Sequence, residues 1–433
     1  MNPALRLAYG AVGQLARSAA AIMPPGKSKW RRSLAARRGI RGRYASWSRH
    51  RDLDRPLLWL HAPSVGEGLQ ARVVIDLVRA RRPDIQIAYT FFSPSAESFA
   101  RSLAVDFADY LPFDTGGDAT SVLDALRPTA LVFSKLDVWP VLVGEASRRG
   151  VPLGLISGTV SEASSRDGLI ATALLQDCYE ALDRVGAASE ADAERIVALG
   201  TDRDRIVVTG DTRYDQVWLK ATTVDLHSAL LAPLASSRST LVAGSTWPAD
   251  EAVLFEAWPA VRRDIPEARL IIAPHEPVPA HLAAVEDWAR SEHLSLARLG
   301  SAESSAADVV LVDRTGVLGD LYSLATAAFV GGGFHGAGLH SVLEPAAFGV
   351  PVAFGPRHSN SRDAVLLRRS RGGDSVATAD EMIEVLEHWL GDPAVRESAG
   401  SLARALVQRG LGAGERSYEL VMELLVPKSS GTT

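Results

Sequence analysis

From Pro56 onward, short apolar runs alternate with helical patterns, and the alternation occurs twice. Leu57–Ala62, Ile85–Thr90, Asp109–Phe113, Ala130–Ser134, Pro152–Ser157, Arg184–Ala188 and Arg205–Thr209 read as strands. Helical patterns separate them at 66–81, 94–103, 117–126, 164–181 and 190–199. Such a rhythm admits few folds, because a strand, a helix and a parallel strand close into a sheet covered on both faces. A second set follows, with strands at Leu241–Ser245, Leu270–Pro274, Val309–Val312, Ala327–Gly331 and Pro351–Phe354, and late helices at 379–390 and 393–408. Between the sets, 212–238 breaks the rhythm and reads as the inter-domain connection. The chain of 433 residues therefore divides into an arm at 1–55, one Rossmann-like domain at 56–215, a second at 236–410, and a helix and tail at 411–433. Ligands of doubly wound sheets bind at the carboxyl ends of the strands.

The arm is basic. Residues 1–55 hold 13 Lys+Arg against 2 Asp+Glu, net +11, so the remaining 378 residues carry −16. An acidic body with a basic arm suits contact with an anionic surface, either a membrane or RNA. Leu5, Ala8, Tyr9, Val12, Leu15, Ala16, Ala19, Ile22 and Met23 recur at helical steps, and Pro24-Pro25-Gly26 stops the pattern. Lys27, Lys29, Arg31, Arg32, Arg37, Arg38, Arg41 and Arg43 follow. This reads as an interfacial helix and polybasic segment, each charge contributing about 1 kcal/mol at an anionic leaflet; the plainer reading packs the helix on the protein beside a solvated loop. No apolar run is long enough to span a bilayer, and no cleavage site follows a compact apolar core. Aromatic residues interleave the arm only at Trp30, Tyr44 and Trp47, and no RNA module follows, which disfavours nucleic acid. The single cysteine, Cys178, excludes an internal disulfide or Cys-rich metal site.

Five stretches lie where strands end. In His61-Ala62-Pro63-Ser64-Val65-Gly66-Glu67, Glu67 stands three residues after a candidate N-cap, Ser64. It is either a capping-box carboxylate or a general base facing an acceptor hydroxyl. In Ala243-Gly244-Ser245-Thr246-Trp247, Ser245 and Thr246 either cap a helix or let amides approach a phosphate. His275 in Pro274-His275-Glu276 is a nucleotide contact or an exposed loop residue. Gly331 to Gly338 forms a Gly-rich turn expected to present bare amides before a helix, with His340 beyond it and Glu344 one turn into that helix. It is neither a Walker A loop nor a dinucleotide fingerprint. Phe354 to Asn360 follows the last strong strand. The spacing of His275, His335, His340 and His358 matches no metal motif, so neither a metal nor another cofactor is expected.

Together these motifs resemble the Kdo transferases of lipopolysaccharide assembly. The resemblance covers about 55–425 and rests on collinear motifs. They are His61-Ala62-x-Ser64-Val65-Gly66-Glu67, Tyr110-Leu111-Pro112-x-Asp114, Trp139-Pro140, Gly210-Asp211-x-x-Tyr214-Asp215, Ala243-Gly244-Ser245-Thr246, Leu321-Tyr322, Phe329-Val330-Gly331-Gly332 and Leu343-Glu344-Pro345. It implies an α/β GT-B architecture, two doubly wound Rossmann-like domains facing a central cleft. It also implies a metal-independent, inverting transfer of Kdo from CMP-Kdo to a lipid A precursor, at the cytoplasmic face of the inner membrane. By this resemblance Glu67 is the base. Ser245, Thr246, Arg213, His275, Gly316, Gly331, Gly332, His340 and Glu344 lie on the donor side, and Ser64, Lys135 and Asp137 on the acceptor side. The sequence departs from the family at Lys135-Leu136-Asp137-Val138-Trp139-Pro140, where a carboxylate has become Lys135, at Val317 and at Ser341. Two rival readings keep the fold: a GT-B transferase or epimerase acting on another nucleotide sugar, and an inactive paralogue that binds a nucleotide or lipid.

Overall fold

Leu57–His61 (β1) is apolar at its first four positions and buried at all five, as a strand covered on both faces must be. In the computed structural model, which describes residues 3–22, 24, 26, 28–160, 169–336 and 338–426, β1 sits inside a seven-stranded parallel sheet. The other strands are β2 (Gln86–Phe91), β3 (Phe107–Tyr110), β4 (Ala130–Ser134), β5 (Leu153–Gly158), β6 (Arg184–Ala187) and β7 (Ile206–Val208), in the order β3-β2-β1-β4-β5-β6-β7. The edge strands β3 and β7 are the ones that expose residues to solvent. Strand order reverses between β1 and β4, so the ligand crevice of this sheet opens beyond His61 and Ser134.

A second parallel sheet has the order β10-β11-β9-β8-β12-β13-β14. Its strands are β8 (Thr240–Thr246), β9 (Arg269–Pro274), β10 (Leu296–Arg298), β11 (Val309–Leu311), β12 (Ala327–Val330), β13 (Val352–Phe354) and β14 (Gly373–Ser375). Here the reversal falls between β8 and β12, beyond Thr246 and Val330. The fold is thus two Rossmann-like units.

The division is not linear. One unit comprises 1–216 and 412–433, the other 217–411. The stretch expected as a loose connection contains the helix Arg213–Thr223, within which the chain leaves the first unit. It returns at Gly412, and the helix Ala413–Leu425 buries Leu420, Val421 and Leu424 in the first core.

Among its described residues the basic arm forms three helices, Pro3–Ile22, Lys29–Ala36 and Ile40–Ser48. Much of its charge has partners inside the first unit. Arg37 is 4 % exposed, donates to Leu111 O (2.8 Å) and Ser33 O (2.8 Å), and stacks over the Phe92 ring at 4.3 Å. Burial lowers its pKa to about 10. Arg43 pairs with Asp109, and Arg41 with Asp118. The solvated loop of the plainer reading is therefore replaced by a packed layer over these residues. Met23, Pro25, Lys27, residues 164–168, Ala337 and 427–433 of the expected segments lie outside the described residues.

Candidate active site

The helix Val65–Arg81 begins directly beyond β1, with Ser64 at its N-cap and Glu67 in its first turn. The spacing permits a capping box, but the side chains do not form one. Ser64 caps no backbone amide; its hydroxyl donates to Glu67 Oε2. From the end of β4, Lys135 Nζ reaches Glu67 Oε1 at 3.2 Å. Burial would raise the Glu67 pKa, but the Ser64 hydroxyl and the Lys135 ammonium outweigh it and hold the carboxyl below its ordinary value. Glu67 is 18 % exposed, so it is a carboxylate that solvent and a ligand can reach. Ser64, Glu67 and Lys135 therefore converge at the strand-order reversal of the first sheet.

Asp137 stands beside them. Its Oδ2 accepts from Trp139 Nε1 at 3.1 Å and lies 3.0 Å from Nε2 of the fully buried His61. The other His61 nitrogen meets Thr90 Oγ1 at 3.0 Å, and that hydroxyl also accepts from Trp59 Nε1. This chain of donors fixes the carboxylate's orientation. Trp139 in turn stacks on Phe92 at 5.4 Å, the ring that carries the Arg37 guanidinium.

Tyr89 was not anticipated from the sequence. Its hydroxyl is buried without a hydrogen-bond partner, 2.7 Å from where a Cβ on Gly68 would lie. Burial, then the nearby Glu67 charge, push its pKa up. Gly68 is what allows the ring so close to the helix that carries Glu67.

In the second unit, Ser245 interrupts the β8–β9 register with φ +54°, as Lys135 in the first unit has φ +59°. Non-glycine residues in the left-handed region are uncommon and concentrate at functional sites. Thr246 is fully buried, and its hydroxyl donates to Glu251 Oε1 at 2.7 Å, which His281 Nε2 also contacts at 2.9 Å. That hydroxyl proton is already committed.

The Gly-rich turn differs from expectation. Its amides are not bare: Asp250, fully buried, accepts from Gly332 N (2.8 Å) and Phe334 N (3.1 Å), and also from Trp247 N (2.9 Å). One carboxylate therefore stitches the β12 exit to the β8 exit. The glycines serve close approach as well, since a Cβ on Gly331 would lie 2.7 Å from Thr246 Cα. No helix follows the turn directly. The helix Leu343–Ala347 has five residues, and Glu344 is its second residue rather than one turn in. Burial raises the Glu344 pKa against the opposing pull of Lys220, which pairs with Asp320 at 2.5 Å.

His275 and His340 meet at a ring the motif reading left unused. Trp247 stacks on His275 at 4.7 Å and on His335 at 4.5 Å, and its Nε1 donates to His340 Nε2 at 3.4 Å. Burial, then the neighbouring His275, lower the His340 pKa, consistent with a neutral ring that accepts this bond. Among the described residues no group of three or more His, Cys, Asp or Glu side chains could hold a metal. Gly316 lies in an open loop with φ +88°. Arg213 belongs to the first unit, where its Nε donates to Asp211 Oδ2 at 2.8 Å.

Residues 34–216 match the sequence model of a family described as 3-deoxy-D-manno-octulosonic-acid transferase (kdotransferase). The 3-deoxy-D-manno-octulosonic acid transferase of Haemophilus influenzae is 25% identical over 382 residues, 85% of this chain and 87% of the relative. That of Chlamydophila psittaci is 29% identical over 351 residues, 79% of each chain. Among solved structures, the UDP-GlcNAc 2-epimerase of Neisseria meningitidis aligns with TM-score 0.63 over 85% of this chain and 100% of that one. At 14% identity that likeness is one of fold. Residues 34–216 thus resemble the Kdo transferases, and the relatives that align with most of the chain are named as such transferases.

Proposed function

We propose that the protein transfers Kdo from CMP-Kdo to a hydroxyl of a lipid A precursor with inversion of configuration. The observation that carries this reading is the Glu67 carboxylate, held ionised by Ser64 and Lys135 at the strand-order reversal of the first unit. Glu67 takes the proton of the acceptor hydroxyl. The acceptor oxygen attacks the anomeric carbon of Kdo as the bond to the CMP phosphate breaks, and CMP leaves with that bonding pair. Base catalysis of this kind supplies roughly 10²–10⁴-fold. Asp137, Ser64 and Lys135 border the acceptor.

The second unit takes the donor. Ser245, Thr246, His275, Gly316, Gly331, Gly332, His340 and Glu344 are its contact residues, Thr246 acting through its backbone because its hydroxyl is bound to Glu251. Arg213, which the resemblance also puts on the donor side, lies in the first unit and is paired there with Asp211. The acceptor is an anionic lipid, so the protein works as a peripheral protein at the cytoplasmic face of the inner membrane. No described helix is long and apolar enough to cross a membrane, and the first helix exposes Val12, Leu15 and Ile22.

The test is transfer with CMP-Kdo and a tetraacylated lipid A precursor, read as product mass. A Kdo-extended lipid with release of CMP is expected. No product with CMP-Kdo, together with turnover of a UDP-sugar, would assign the fold to the rival nucleotide-sugar reading.

A further inference from the structure

We infer that His281 is a positioning residue: anchored on the buried Glu251, it holds the link 275–278 and so fixes His275 at the exit of β9. The inference rests on the donor-side reading of His275 given above. Glu251 and His281 are groups of the second unit that the proposed reaction leaves unused. Glu251, in the helix Pro248–Asp264, is 3 % exposed. A buried carboxylate is costly unless it is hydrogen-bonded. Its partners are the Thr246 hydroxyl, which donates to Oε1 at 2.7 Å, and His281 Nε2, which lies 2.9 Å from Oε1 and 2.8 Å from Oε2. His281 stands in the first turn of the helix Pro279–Ser291, and its other ring nitrogen, Nδ1, lies 3.2 Å from Glu276 O. His275 N donates back to Thr246 O at 2.9 Å. The contacts thus run from the exit of β8 through Glu251 and His281 to the link beyond β9, and return to β8.

The link needs such a tether. Residues 275–278 belong to neither strand nor helix, and Pro277 has no amide hydrogen to bond. Ordering an irregular segment costs conformational entropy, which the contacts it makes must offset. His281 supplies one from a helix that is itself fixed, since Leu282, Val285 and Ala289 of that helix are buried. What the link presents is His275. That residue is exposed, and its ring stacks on Trp247 at 4.7 Å and meets the His340 ring at 4.4 Å. The Thr246 and Glu251 side chains are buried and that of His281 is 10 % exposed. The relay therefore acts on a ligand through the residue it places, not by touching it.

The experiment uses the full chain and two variants that divide the contacts of His281. His281→Gln puts an amide nitrogen near the place of Nε2, so it keeps a donor to Glu251 and gives up Glu276 O. It should melt as wild type does, while amide hydrogen exchange over 275–278 quickens. Its CMP affinity, by titration calorimetry, should fall about tenfold, and in the transfer assay the donor KM should rise by a similar factor with kcat within about twofold. His281→Asn puts its nitrogen near the place of Nδ1, so it keeps Glu276 O and leaves Glu251 short of a partner. It should melt lower than His281→Gln and yet keep more of the CMP affinity. The double variant His275→Ala/His281→Gln should bind CMP no more weakly than His275→Ala alone, because His281 acts through His275. Affinity that follows the melting temperature across the two variants overturns the inference, as do losses that add fully to that of His275→Ala. Failure of the reaction is read separately. Wild type that binds no CMP refutes the donor reading; exchange over 275–278 then decides the anchor alone, quickened in His281→Gln if it holds and unchanged if it does not.

Discussion

Lys135 Nζ sits 3.2 Å from Glu67 Oε1 while the Ser64 hydroxyl holds the other oxygen of the same carboxylate. The pair makes Glu67 a weaker base that stays ionised to lower pH. The acid limb of kcat/KM should therefore lie below the ordinary glutamate range. Lys135→Met removes one of the two opposing causes, so the limb should move to higher pH. A pH–rate profile checks this, and an unmoved limb would show that Lys135 does not tune the base.

Glu67→Gln keeps the shape and loses the proton acceptor. It should lower kcat by about 10²–10⁴-fold with the fold intact. Near wild-type turnover in a folded variant would remove Glu67 from the chemistry.

Ser64 supplies no side-chain cap, so Ser64→Ala should cost less than the ~1 kcal/mol typical of a lost N-cap. The same variant should raise the pH limb. Chemical denaturation beside the rate profile separates the two roles; a full capping penalty with an unchanged limb would contradict the geometry seen here.

Asp250→Asn replaces a carboxylate that accepts three amides with a group that must turn its own N–H₂ toward at least one of them. The expected loss is about 1–3 kcal/mol of stability. Nucleotide affinity should fall with it, because the Gly-rich turn is released from β8. Denaturation and titration calorimetry with CMP measure both, and unchanged affinity would mean the clasp is only structural.

Glu344 has a raised pKa because burial outweighs the pull of Lys220. Its folded-state value lies above the unfolded one. No cost arises while pH stays below the unfolded carboxyl pKa, and stability is lost as pH rises through the folded value. Glu344→Gln should therefore stabilise the protein at neutral pH and make no difference in acid. Thermal unfolding across pH reads the sign directly.

Twelve strands were readable because their residues are apolar and mostly buried, which is a local signal. The two that escaped are three-residue edge strands, β10 and β14, and Gly373-Asp374-Ser375 carries no apolar pattern at all. Glu67, Lys135 and Ser245 were legible as strand-end residues. The Asp250 clasp was not, because it joins amides 82 and 84 residues away. The rings around Trp247 come from three different strand exits and have no shared periodicity. Arg37 looked like one charge in a polar run, and only the tertiary structure shows it enclosed by Phe92, Tyr110 and Phe113.

The first unit closes only when the helix Ala413–Leu425 returns to it. Gly154 of β5 is bare where Leu424 lies against it, and Gly414 where Val73 does. During synthesis the continuous second unit has all its residues before the earlier one is complete. The order in which the units become complete is thus the reverse of the order in which they begin, and until the last helix emerges the first sheet lacks the apolar side chains that fill its seat.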